Sequence, residues 1–159
     1  MSLIQALLIG VVAALTKIEG GWFGECKLRE PIVTGFLVGC ILGDIPKGLM
    51  IGAQLQLMWM GAVGIGPTAQ LDIGTGGTIG VAAAIATGTG AETAIMFGVP
   101  VAVLMQFCAA MLMTAYSGFM AKVDADIEAG KYSSITFYHY LVGICDFVMY
   151  AALTFVVMY

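Results

Sequence analysis

A chain of 159 residues that is 60% hydrophobic and only 10% charged lacks the charge to cover a water-facing surface, since soluble domains carry about 25% charged residues. Its net charge of −4 and its six scattered Lys and Arg residues exclude the basic stripe that a nucleic-acid partner needs. Its four cysteines, Cys26, Cys40, Cys108 and Cys145, form no CxxC pair that would support zinc or a disulfide framework. Hydrocarbon is the solvent that suits such a chain, which reads as an all-α integral membrane protein in the lipid bilayer.

Six apolar stretches follow one another. The first runs from Leu3 to Thr16; with no basic residue before it and Lys17 after it, it reads as a membrane segment rather than a cleavable signal. A polar loop, Lys17–Glu30, separates it from the second, which follows Pro31 and ends at Leu42. Asp44, Pro46 and Lys47 then mark a turn. The third stretch runs from Leu49 to about Val63, and a glycine-rich break follows from Gly64 to Gly77. The fourth covers Thr78 to about Ala86 and the fifth Thr93 to about Met113. After a polar loop, Ser117–Ser134, the sixth starts near Ile135. Only the fifth is expected to span a bilayer core unaided, at roughly 20 residues. The others read as tilted, broken or re-entrant segments, tolerated at membrane depth only where protein or a polar cavity surrounds them. Short, glycine-interrupted segments of this kind point to a transport site; the alternative is a packed hairpin that holds no ligand.

Gly35, Gly39 and Gly43, then Gly48 and Gly52, then Gly76 and Gly80 recur at four-residue intervals. That pattern lets membrane helices approach closely. Lys17, Lys27 and Arg29 lie in one polar loop and Lys122 and Lys131 in another. If every stretch crosses, the two loops share a side, which the positive-inside rule makes cytoplasmic, with the N-terminus outside.

The polar side chains gather around the break. Gln54, Gln56, Thr68, Gln70, Asp72, Thr75 and Thr78 fall within GAQLQLMWMGAVGIGPTAQLDIGTGGTIG. Glutamines both donate and accept, and a carboxylate accepts strongly, a mixture that suits a polyhydroxylated ligand. Gln54 and Gln56 point to nearly opposite sides if their segment is helical, so one of them is expected at the site. Pro67, Gly64 and Gly66 favour extended or turning backbone, on which Gln70 and Asp72 would share a side. Asp72 has two readings: a functional carboxylate at membrane depth, or a cap on the next segment. Thr75 or Thr78 is expected to open that segment, with free amides facing a ligand.

Elsewhere the polar residues have plainer readings. Asp146 suits a structural or subunit contact, and His139, among Phe137, Tyr138 and Tyr140, an interfacial aromatic belt. Trp59 suits packing, with sugar stacking as the alternative. Glu92 suits a helix N-terminus. The charges from Lys122 to Lys131 suit a solvated loop. HExxH, GxSxG and Walker motifs are missing, and a single histidine gives poor support to metal or Ser-His-Asp chemistry. No catalytic residue, metal ligand or cofactor is therefore expected.

The segment TGFLVGCILGDIPKGLMIGAQLQLMWMGAVGIGPTAQLDIGTGG, Thr34 to Gly77, resembles the IIC subunit of the mannose–fructose–sorbose class of bacterial sugar phosphotransferase systems. It carries LVG-x-x-LGD, then a G-x-Q-L-Q-type segment, then the Gly- and Asp-bearing stretch, and the resemblance continues more loosely beyond. It implies a multi-pass permease of the bacterial cytoplasmic membrane that binds a hexose or amino sugar. The implied partners are a IID membrane subunit, in larger oligomers, and soluble IIA and IIB subunits that pass phosphate to the sugar from a IIB histidine. It implies no phosphoryl carrier in this chain, so His139 is not a phosphosite. By position it implies sugar contacts at Gln54, Gln56, Gln70 and Asp72, with neighbouring groups such as Thr68. Some relatives carry an acidic residue where Gln56 stands, a departure that bears on sugar preference. Family members are usually longer, so residues 1–159 are expected to form a single membrane domain, the N-terminal part of a longer fold. The competing function is a non-transporting docking subunit, or a receptor for a partner protein.

Overall fold

The computed structural model describes residues 1–62 and 70–159. Among these the chain is helical without strands: α1 Leu3–Trp22, α2 Pro31–Leu42, α3 Ile45–Trp59, α4 Ile73–Ala86, α5 Ala91–Glu128 and α6 Ser133–Met158. Three of them, α1, α5 and α6, are long and apolar enough to cross a membrane, where one was expected. Thr68 and the backbone expected to turn at Gly64, Gly66 and Pro67 lie outside the described residues.

The differences from the expected boundaries have local causes. α1 continues through Lys17 because its buried stripe does: Ala6, Ile9, Ala13, Thr16 and Glu19 recur every three or four residues and all face inward. α5 continues past Met113, where Ala115, Met120, Ala121, Lys122, Ala125 and Glu128 favour helix. Val123 is buried on that extension. The helix stops where Gly130 takes a left-handed φ of 76° and the Lys131 amide donates to the Asp126 carbonyl. The charges from Lys122 to Glu128 therefore lie on a helix, not in a loop. At the second turn Gly43 alone reverses the chain, with φ 84°. Asp44 is the N-cap of α3, its Oδ1 accepting the Lys47 amide at 3.1 Å, and Pro46 sits in the first turn.

The three short helices pack through their glycines. Gly35 and Gly39 of α2 lie directly against Gly48 and Gly52 of α3, so that a methyl added at Gly39 would come within 2.9 Å of the Asp44 carbonyl oxygen. Across α4 and α5, a methyl at Gly76 would come within 2.6 Å of the Gly98 carbonyl oxygen. Backbones this close gain dispersion contact along their whole length, which is how helices associate where no hydrophobic effect acts between them. α4 is the centre of this half: every residue from Gly74 to Ala82 is buried, against α1, α2, α3 and α5.

At 1.5 Å per residue, α2, α3 and α4 run roughly 18, 22 and 21 Å, short of a hydrocarbon core of about 30 Å. They stand beside α1 and α5, which are longer. The ends of the short helices therefore fall within the height of the long ones.

Candidate functional site

The site is the place where the short helices end. Glu30 is the N-cap position of α2, Gln56 lies in the last turns of α3, and Asp72 is the N-cap of α4. These three ends meet beside Thr16 and Lys17 of α1 and Ala109 and Met113 of α5, around a cavity of about 640 Å³. Thr16 is six residues before the end of α1, a rise of roughly 9 Å, so the cavity is set well inside the helix bundle. Its lining runs from exposed Lys27 to buried Thr16 and Trp59.

Asp72 caps α4 and also borders the cavity. Its Oδ1 accepts the Thr75 amide at 2.9 Å, capping α4, and its carboxylate lines the cavity. Its own amide donates to the Ala102 carbonyl at 3.3 Å, tying the start of α4 to α5. α4 thus opens at Ile73, slightly before Thr75, and Thr75 and Thr78 are buried in it. Thr78 Oγ1 donates to the Gly74 carbonyl at 2.7 Å, so its hydroxyl is occupied within the helix rather than turned to the cavity.

Gln56 and Gln70 also line the cavity. Gln54 does not: two residues along a helix turn through about 200°, and its side chain is exposed on the other side of α3. Gln56 is held in place. Its Nε2 donates to Glu30 Oε2, and its Oε1 accepts the Ile32 amide at 3.5 Å. Gln70 is exposed, in irregular backbone two residues before Asp72.

Charged residues complete the lining. Lys17, Lys27, Arg29 and Glu30 line the cavity as well. Lys27 Nζ lies 3.9 Å from Glu30 and 3.8 Å from Glu25, and Arg29 pairs with Glu25 at 3.2 Å. The loop that carries them is pinned from below. Glu19, 2% exposed, accepts the Arg29 amide on Oε2 at 2.9 Å, a charge-assisted bond that fixes the rim to α1. The signal for Glu19 was present, because it continues the three-and-four stripe of α1. The signal for Glu30 was weaker: a carboxylate immediately before the Pro that opens α2.

The polar wall therefore offers two carboxylates, two amides and three cations, with Trp59 and Met113 as apolar surface. The cavity falls within the size that holds small ligands, roughly 300–1,000 Å³. Among the described residues no group of His, Cys, Asp and Glu is placed to hold a metal ion. His139 lies elsewhere, stacked on Trp22 with ring centroids 5.8 Å apart. Asp146 accepts the Tyr116 hydroxyl at 2.7 Å between α5 and α6.

A family profile described as "PTS system sorbose-specific IIC component" matches residues 3–159. The chain belongs to this family. It is 33% identical over 124 residues to the Escherichia coli K12 protein named "Putative N-acetylgalactosamine permease IIC component 2", covering 78% of this chain and 92% of that one. It is 28% identical to the fructose permease IIC component of Bacillus subtilis 168, over 87% of this chain and 51% of that one. The fold matches a chain in the cryo-EM structure of the mannose transporter ManYZ with microcin E492, with a TM-score of 0.88 and 23% identity, over 99% of this chain and 63% of that one. The chain thus covers nearly the full length of one curated relative and about half the length of the fructose permease component. IIC components work with other subunits of the phosphotransferase system, and this one is a membrane protein of the permease family.

Proposed function

We propose that this chain is the sugar-binding membrane subunit of a phosphotransferase system, and that the cavity at the meeting of α2, α3 and α4 receives a hexose or amino sugar. The observation that carries the reading is the convergence of Asp72, Gln70, Gln56 and Glu30 on one cavity inside the bundle. A carboxylate at that depth is costly unless it pairs or serves a ligand. Sugar hydroxyls both give and accept hydrogen bonds, and these four side chains supply both kinds of partner. Asp72 caps α4 through Oδ1, and its carboxylate, at the edge of the cavity, supplies acceptors. Gln70 accepts and donates beside it. Glu30 and Gln56, bonded to one another, form the facing pair. Thr68 belongs to the same proposal by its position in the sequence, while Gln54 does not share this wall.

The reading places residues 1–159 in a single membrane domain that crosses the cytoplasmic membrane of a bacterium several times. The ends bearing Lys17, Lys27 and Arg29 and bearing Lys122 and Lys131 lie together, since Trp22 and Val123 line one crevice. By the positive-inside rule that end is cytoplasmic, and the cavity opens toward it. A IID subunit and soluble IIA and IIB subunits complete the system, and phosphate reaches the sugar from them. The second reading, a docking subunit, is favoured by the uncovered apolar faces of α5 and α6.

The test is sugar binding by the IIC–IID complex. Asp72→Asn and Gln70→Ala should each weaken binding by roughly tenfold, more for Asp72, because hydrogen bonds to charged groups contribute about 1.5–3 kcal/mol. Neither should remove the protein from the membrane. Unchanged binding in both, with the complex intact, would leave the docking reading.

A further inference from the structure

A second cavity, of about 450 Å³, adjoins the candidate site at Lys17 and Met113 and lies between the end of α1 and the facing sides of α5 and α6. α5 and α6 follow each other across a short turn, yet they splay, because α6 packs along α1 instead. Between them Ile18, Val123 and Val142 form apolar walls, and Trp22 closes the end.

Such a gap does not stay empty in a bilayer. Walls facing a void lose their dispersion contacts, and apolar walls give water too few partners. The filler must therefore be largely apolar. Lys17 adds a second demand. Its side chain is half-buried and lines this crevice, and among the described residues no carboxylate lies within 4 Å of it. Its contact is the face of the Tyr150 ring, 5.0 Å from Nζ. The carboxylate within the crevice, Asp146, is engaged by Tyr116. An ammonium at this depth calls for an anion, and its long stem lets the charge rise toward the headgroup level, which Trp22 marks.

We propose that the crevice between α1, α5 and α6 holds one anionic phospholipid, with an acyl chain against Val123 and Val142 and the phosphate on Lys17. A single ligand then meets both demands, apolar filling and negative charge, in the manner of basic pockets between membrane helices that bind anionic headgroups. A helix of a second chain would fill the apolar part and leave Lys17 unpaired unless it brought a carboxylate of its own.

Trp22 reports on the occupant. The full chain is reconstituted in phosphatidylcholine vesicles carrying, at equal mole fraction, either brominated phosphatidylglycerol or brominated phosphatidylcholine, and tryptophan fluorescence is read. Trp59, 7% exposed in the core, gives a background that Trp22→Phe measures. Quenching of Trp22 should be about fivefold stronger with the brominated phosphatidylglycerol, the preference that one lysine contact supplies. Lys17→Gln should abolish the preference while quenching by brominated phosphatidylcholine persists. Because Lys17 also borders the candidate site, Val142→Phe provides a second variant that fills the crevice with the charge in place, and it too should lower the preference. Equal quenching by the two lipids in the wild-type chain overturns the proposal. So does a preference that survives both substitutions, or an absence of quenching by either lipid, which would mean that protein covers Trp22.

Discussion

The two halves of this molecule are built from equally apolar sequence and pack in opposite ways. In α2, α3 and α4 small residues face small residues, backbones touch, and α4 buries every position from Gly74 to Ala82. In α6 only Tyr138, Gly143, Tyr150 and Thr154 are buried, and the long second half of α5 presents Met111 and Phe119 outward. Hydropathy alone does not separate the two, because hydrocarbon tolerates both. Residue size separates them. Glycine-to-glycine packing fixes three short helix ends to within the tolerance that a polar site needs, while bulky outward side chains suit lipid or another subunit.

The largest expected effect breaks the tight half. Gly35→Leu drives a side chain into the Gly48 carbonyl and should cost about 3 kcal/mol, the upper part of the range for overpacking. Its counterpart on the open half, Leu104→Ala at a 59% exposed position, should stay within about 0.5 kcal/mol. Reversible unfolding in mixed micelles measures both, and similar losses at the two positions would erase the distinction.

A middle-sized effect separates the two roles of Asp72. Asparagine caps a helix about as well as aspartate, whereas alanine does not. Asp72→Ala should therefore lose about 1 kcal/mol of stability in the same assay, and Asp72→Asn almost none, although both weaken sugar binding. Equal stability of the alanine variant would mean that the cap on Thr75 contributes nothing. The smallest effect lies between the splayed helices. Tyr116→Phe removes the hydroxyl that Asp146 accepts and should cost about 0.6 kcal/mol, the average for hydrogen bonds between membrane helices.

Much of the tight half was legible in the sequence, because its signals are local. Four-residue glycine spacing announces close approach, and a two-residue step on a helix separates Gln54 from Gln56. The site's second wall was not legible by polarity. Read from sequence, the charge at Lys17 ends the first membrane segment and puts Lys17 and Glu19 in a loop. Buried packing at every third or fourth residue carries the helix on instead. The same rule misplaced Lys122 to Glu128, where helix formers continue α5 and solvated charges do not interrupt it. Glu30 and Asp72 are 42 positions apart, and no periodicity brings them together. Only the tertiary meeting of α2 and α4 does.

The central claim is that the cavity is where sugar sits, and cysteine protection tests it most directly. In a cysteine-free IIC–IID complex, Ala62→Cys places a thiol on the cavity lining without altering a proposed ligand group. Lys131→Cys places one at the exposed turn before α6. Saturating hexose should slow modification of the thiol at 62 by a water-soluble reagent roughly tenfold, as expected when a ligand buries most of its pocket, and leave the thiol at 131 unchanged. Equal rates at position 62 with and without sugar, in a complex that still binds it, would place the sugar elsewhere.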